Sequence, residues 1–155
     1  MISSFFRLAI CGFFCLALLA CGSSSHQLHR SADASLPDNI GIQGYSAVSY
    51  FENDRAEPGS ADYSVEFDKR IYYFTSAEQA DKFRQQPEKY MPKFGEYCPY
   101  SLALGRRVGI DPTNFSIVDG QLLLYHNTVE LDTLDVQAQR EIVEGAQKQF
   151  ELLAF

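Results

Sequence analysis

An unbroken run of apolar and small residues from Leu8 to Ala20 constrains this chain more than any other feature, because it decides which residues remain to build a domain. The start amine and Arg7 put positive charge ahead of it. A cationic start followed by a short apolar stretch is the pattern of a secretory signal. The run has 13 residues, whereas a helix needs about 20 to span the hydrocarbon core of a bilayer. Residues 1–20 are therefore set aside as a signal peptide. The 135 residues that follow are enough for one ordinary domain and too few for two.

The run closes in Leu18-Leu19-Ala20-Cys21-Gly22, which resembles the lipobox of bacterial lipoproteins. That resemblance implies a diacylglyceryl group on the Cys21 thiol, cleavage after Ala20, and a further acyl chain, such as palmitate, on the freed amine. More than one chain suits the physics, since a single fatty chain anchors only marginally and reversibly. Residue 22 is glycine and not the aspartate that commonly retains such proteins on the inner membrane. The expected location is thus the cell envelope, on the outer membrane, with the domain in the periplasm. The alternative is an ordinary secretory signal with an incidental cysteine.

Charge and cysteine content narrow the function. The chain carries 13 Lys+Arg against 20 Asp+Glu, a net charge of −7 that becomes −8 once Arg7 is removed. An acidic surface argues against nucleic acid, whose phosphates require a basic footprint. It also leaves membrane attachment to the lipid, because anionic headgroups attract basic segments. Nine Tyr and twelve Phe, without Trp, indicate an aromatic-rich core or groove. Tyr45, Tyr50, Tyr72, Tyr73, Tyr97 and Tyr100 read as core, with the lining of a groove for a small molecule or peptide as the alternative. Cys11 and Cys15 leave with the signal and Cys21 is committed to lipid, so Cys98 is the one thiol left and no intramolecular disulfide can form.

Along the chain, residues 21–39 are small and polar and read as a flexible tether. His26 and His29 lie in it and read as solvated. The domain is expected over residues 40–155. Ala47 to Phe51 is a short apolar stretch compatible with a strand. Tyr63 to Phe67 alternates at period two, Asp68-Lys69-Arg70 makes a bend, and Ile71 to Phe74 returns, giving a hairpin. Thr75 with Glu78 and Ser76 with Gln79 form a double capping-box signal for a helix to about Gln86 that buries Ala80 and Phe83 and stops at Pro87. Glu88 to Phe94 reads as another helical turn. Pro99 suits the first position of a helix that Gly105 ends. Phe115 to Val118 and Gln121 to Tyr125 flank Asp119-Gly120, a strong hairpin signal. Thr128 or Thr133 is expected to cap a long helix to Phe155 whose stripe runs Leu134, Ala138, Ile142, Ala146, Phe150, Leu153. The sum is a small single α+β domain with two β-hairpins, several short helices and a long C-terminal helix.

The spacing Phe74-x-Ser76-x-x-x-x-x-x-Phe83-x-x-x-Pro87-x-x-Tyr90, after the strand pair Tyr72-Tyr73, resembles the YHS domain. Gly44-Tyr45, Tyr50-Phe51, Gly95-Glu96-Tyr97-Cys98 and Ile117 to Gly120 extend the resemblance to small exported bacterial YHS proteins, over about residues 41–127. The family is associated with metal handling, through a Phe-Cys-Ser-x-x-Cys pattern at the strand-to-helix junction. Here those places hold Thr75 and Gln79, which lack the soft thiolate that copper or zinc prefers. Two other departures are Ser46-Ala47 in place of Asp-Pro, and His126 in place of Tyr.

Cys98 stands at a helix start beside Tyr97 and Tyr100. One reading is a thiolate that binds copper or another soft transition metal with His126, completed by Met91 or a tyrosine. The other is a cysteine packed in the core. A thiol redox role lacks a resolving cysteine. Glu52/Asp54 and Glu66/Asp68 are paired carboxylates that read as solvated, and no Ser/His/Asp order, phosphate loop or H-E-x-x-H occurs. The expectation is a non-catalytic, membrane-tethered, YHS-like binding domain with metal as its ligand. A protein interaction module of the envelope that binds no metal is the alternative.

Overall fold

The computed structural model of the chain describes residues 36–153. The signal peptide, Cys21, His26, His29 and most of the tether lie outside the described residues. No helix among those described is long and apolar enough to cross a membrane. The domain is α+β, built on two separate antiparallel hairpins.

The first hairpin joins β1 (Ser60–Phe67) to β2 (Arg70–Phe74), with Val65 opposite Tyr72 and Phe67 opposite Arg70. Its two turn residues, Asp68 and Lys69, both have positive φ, 47° and 63°. That is the type I′ geometry whose twist matches two paired strands. The second hairpin joins β3 (Phe115–Val118) to β4 (Gln121–Leu124) through Asp119 and Gly120, at φ 50° and 75°.

Helices fill the rest. The stretch expected as a strand at Ala47 to Phe51 is instead the helical turn α1 (Ser49–Glu52). Four apolar residues and one serine carry no clear period of their own, and here Ala47, Val48 and Tyr50 are all buried at a helical turn. The expected cap opens α2 (Ala77–Gln85), where the Ser76 hydroxyl accepts the Gln79 N–H, and Ala80 and Phe83 are buried. Pro87 starts the short α3 (Pro87–Tyr90), and α4 (Pro99–Ala103) follows Cys98. The long helix α5 (Val136–Leu153) is capped by neither Thr128 nor Thr133. The Asp135 carboxylate takes the Ala138 N–H at 2.8 Å, while the Thr133 hydroxyl donates to the Glu130 carbonyl within a preceding 3-10 turn, Leu131–Thr133.

The interior is divided into two apolar clusters. One gathers Ile42, Tyr50, Tyr72, Phe74 and Phe83 around the first hairpin, and the other gathers Phe94, Cys98, Leu102 and Ala146 between α4 and α5. Strand β4 stands between them. Leu122 and Leu124 belong to the first cluster, Leu123 and the following Tyr125 to the second. Successive strand side chains point to opposite faces, so the apolar run Leu122 to Tyr125 supplies both cores at once.

Candidate functional site

The two residues expected to share a metal lie in different surroundings. Cys98 is fully buried in the second cluster, its N–H donating to the Val108 carbonyl at 2.9 Å and its carbonyl accepting from Leu102. His126 borders a surface depression with Tyr45, Asp111 and Asn127, to which Cys98 does not contribute. Its Nδ1 accepts the Thr128 N–H at 3.3 Å and lies 3.0 Å from the Thr128 hydroxyl. Met91, expected as a completing ligand, borders a third place, a cleft beside Arg70. Among the described residues no group of three or more His, Cys, Asp or Glu is arranged to hold a metal ion. A soft metal would need several ligands, and the residues present do not offer the set.

The strand-to-helix junction, where the family resemblance would place thiolates, is filled with hydrogen bonds. The Gln79 side-chain oxygen accepts the Ser46 hydroxyl at 2.7 Å and the Thr75 N–H at 3.4 Å, and its amide nitrogen donates to the Ser49 hydroxyl at 3.1 Å. Ser46, Ser49 and Gln79 are all buried. Buried polar groups are costly unless partnered, and these three partner one another. The junction thus pins α1 to α2 through buried polar groups that bond one another.

The paired carboxylates remain on the surface, with Glu52 bridged to Lys82 at 2.8 Å. The tyrosines divide. Tyr50 and Tyr72 belong to the core, whereas Tyr97 and Tyr100 are exposed at the start of α4. Leu104, at the end of α4, is 55 % exposed, and Arg106 and Arg107 follow it without an ion-pair partner among the described residues. Tyr97 also borders the cleft beside Arg70, and Tyr100 borders another cleft with Arg106 and Thr128. The segment from 97 to 107 therefore borders both clefts, Tyr97 the one and Tyr100, Ser101 and Arg106 the other.

The cleft on the Tyr97 side has a volume of about 310 Å³, and of the tyrosines weighed as groove lining it takes Tyr72 and Tyr97. It depends on a strained segment. Ile42 and Gln43 both adopt the left-handed region at φ 50°, which costs a non-glycine residue roughly 1–2 kcal/mol. A β-branched residue is rare there. Glu96 holds the turn, its Oε1 accepting the Ile42 N–H at 2.8 Å and its Oε2 bridged to Arg70 at 2.9 Å. Gly41 precedes the turn because a Cβ at this position would collide with the Tyr72 ring. Neither the Arg70–Glu96 pair nor the Ile42–Glu96 bond has a local sequence signal; the glycines at 41 and 44 were the only trace. Known protein families, curated proteins and solved structures show no match to this chain.

Proposed function

We propose that this chain is an exported lipoprotein, held on the outer membrane by lipid on Cys21, whose periplasmic YHS-like domain is a non-catalytic protein interaction module. The observation that carries the reading is that Tyr97, Tyr100 and Leu104, in and beside α4, are each exposed, and that Arg106 and Arg107 follow with no ion-pair partner among the described residues. Tyrosine and arginine are enriched among the residues that dominate binding energy at protein interfaces. On an acidic domain, two adjacent arginines favour a partner surface that is acidic opposite them. Copper or another soft metal, the ligand the family resemblance implied, has no ligand set among the described residues.

The test is site-specific photo-cross-linking from position 104 in the full chain, expressed in a cell envelope. A discrete adduct that disappears in Tyr97→Ala/Tyr100→Ala supports the module. No adduct, or one indifferent to the two tyrosines, overturns it. The anchor is tested separately by Cys21→Ser, which should move the protein from the membrane fraction to the soluble one.

A further inference from the structure

The cleft beside Arg70 contains an unspent polar group. Tyr72 is only 2 % exposed, yet its hydroxyl makes no hydrogen bond to any described residue. No fully buried side-chain oxygen or nitrogen among the described residues lacks a partner, so the remaining exposure of Tyr72 includes its hydroxyl, and that hydroxyl opens into the cleft it lines. A ring this deeply packed, with its polar end left free at the floor of a cavity, is a group placed for something that enters. Burial, more than any neighbouring charge, raises the Tyr72 pKa, so the phenol is neutral at physiological pH.

The rest of the cleft states what could enter. Phe94, Phe150 and Met91 supply an apolar wall, and Tyr97 adds an exposed ring at the side. Three charges border it. Arg70 is matched by Glu96, which leaves Asp68 uncompensated, with no ion pair or hydrogen bond to a described residue. The charged residues that line the cleft therefore sum to −1, within a chain whose net charge is −7, while the Lys93 ammonium, outside the lining, lies 5.8 Å from the centre of the Phe94 ring. Aromatic faces and a lone carboxylate attract cations, whereas an anion would meet two carboxylates there. The volume, about 310 Å³, lies at the small end of ligand pockets.

We infer that this cleft is a binding site for a small organic cation with an apolar body, its ammonium group seated between the Tyr72 hydroxyl and Asp68. The site shares Tyr97 with the proposed interaction surface, but Tyr72 and Asp68 lie outside that surface, and the site would stand if that reading failed.

The probes are 2-phenylethylamine, 2-phenylethanol and phenylacetate, which share one body and differ in charge. They are compared by equilibrium dialysis against the full chain in lipid nanodiscs, with empty nanodiscs subtracted. The amine should bind at least tenfold more tightly than the alcohol or the carboxylate. Tyr72→Phe keeps the ring and removes only the unpartnered hydroxyl, so the fold survives, and it should raise the Kd of the amine about fivefold, the worth of one hydrogen bond. Asp68→Asn, with a side chain that tolerates the left-handed turn, should bring the amine down to the affinity of the alcohol. Tighter binding of phenylacetate, equal binding of all three, no saturable binding of any, or an unchanged Kd in Tyr72→Phe would each overturn the assignment.

Discussion

The Gln79 side-chain oxygen and the Ser46 hydroxyl, 33 residues apart in sequence, meet at 2.7 Å inside the domain. This bond joins the segment before α1 to the first turn of α2, and Ser49 completes the link from the amide nitrogen. Gln79 thus has two jobs: its N–H is capped by Ser76 while its side chain fastens a neighbouring turn.

Gln79→Ala should accordingly cost more than a surface cap. It leaves the buried Ser46 and Ser49 hydroxyls without their partner, at about 1–3 kcal/mol for each group left unsatisfied. Urea denaturation should show a total loss of about 2–4 kcal/mol. A loss under about 1 kcal/mol would mean that water replaces the amide.

Cys98 is fully buried in an apolar cluster. The native protein should resist iodoacetamide and disulfide reagents, and its rate of modification should rise in step with unfolding in urea. Rapid alkylation of the folded chain would show that the α4 start opens, and would reinstate a redox or metal role for the thiol. Cys98→Ala should cost about 1 kcal/mol through a small cavity.

The two hairpins make opposite predictions at the same turn position. Lys69 holds φ 63° without being glycine, so Lys69→Gly should stabilise the protein by roughly 0.5–1 kcal/mol in thermal or urea unfolding. Gly120 holds φ 75°, and Gly120→Ala should destabilise by roughly 1–2 kcal/mol.

Asp111 accepts both the Thr113 hydroxyl, at 2.7 Å, and the Thr113 N–H, at 2.8 Å. These bonds, with the hydroxyl first, hold its carboxyl below the ordinary value of 3.8. A carboxyl depressed in the folded state stabilises the fold above its unfolded pKa, and that stability drains away as pH falls through the lower folded value. The gap in stability between wild type and Asp111→Ala should therefore be full at pH 7 and narrow below about pH 4. A gap that does not vary with pH would show that the turn does not depend on the charge.

Local signals were legible because each involves residues within one turn of one another. Ser76 with Gln79 announces α2, Asp119-Gly120 announces the second hairpin, and the alternation from Tyr63 to Phe67 announces the first. Where two local signals compete, the sequence misleads. Thr128 and Thr133 look like better helix caps than their surroundings, yet Asp135 does the capping because the chain first makes a 3-10 turn. Ala47 to Phe51 is apolar but for Ser49, a pattern too short to carry a period, and in the fold Ser49 turns inward to bond Gln79 of α2. The cleft was legible only in its two tyrosines, Tyr72 and Tyr97. It rests on Glu96 reaching Ile42 across 54 residues, and on a left-handed isoleucine that local preference argues against.

The double-faced β4 governs the order in which this chain can become a protein. Most of the first cluster lies between residues 42 and 90, but its covering leucines, Leu122 and Leu124, come more than thirty residues later. A chain delivered from its N-terminus, by a ribosome or through a membrane pore, must leave those aromatic residues open to water until β4 emerges. The same strand carries Leu123, and Tyr125 follows it; both wait in turn for α5. The domain cannot mature half at a time: its last third closes both halves, and until then the chain needs shelter.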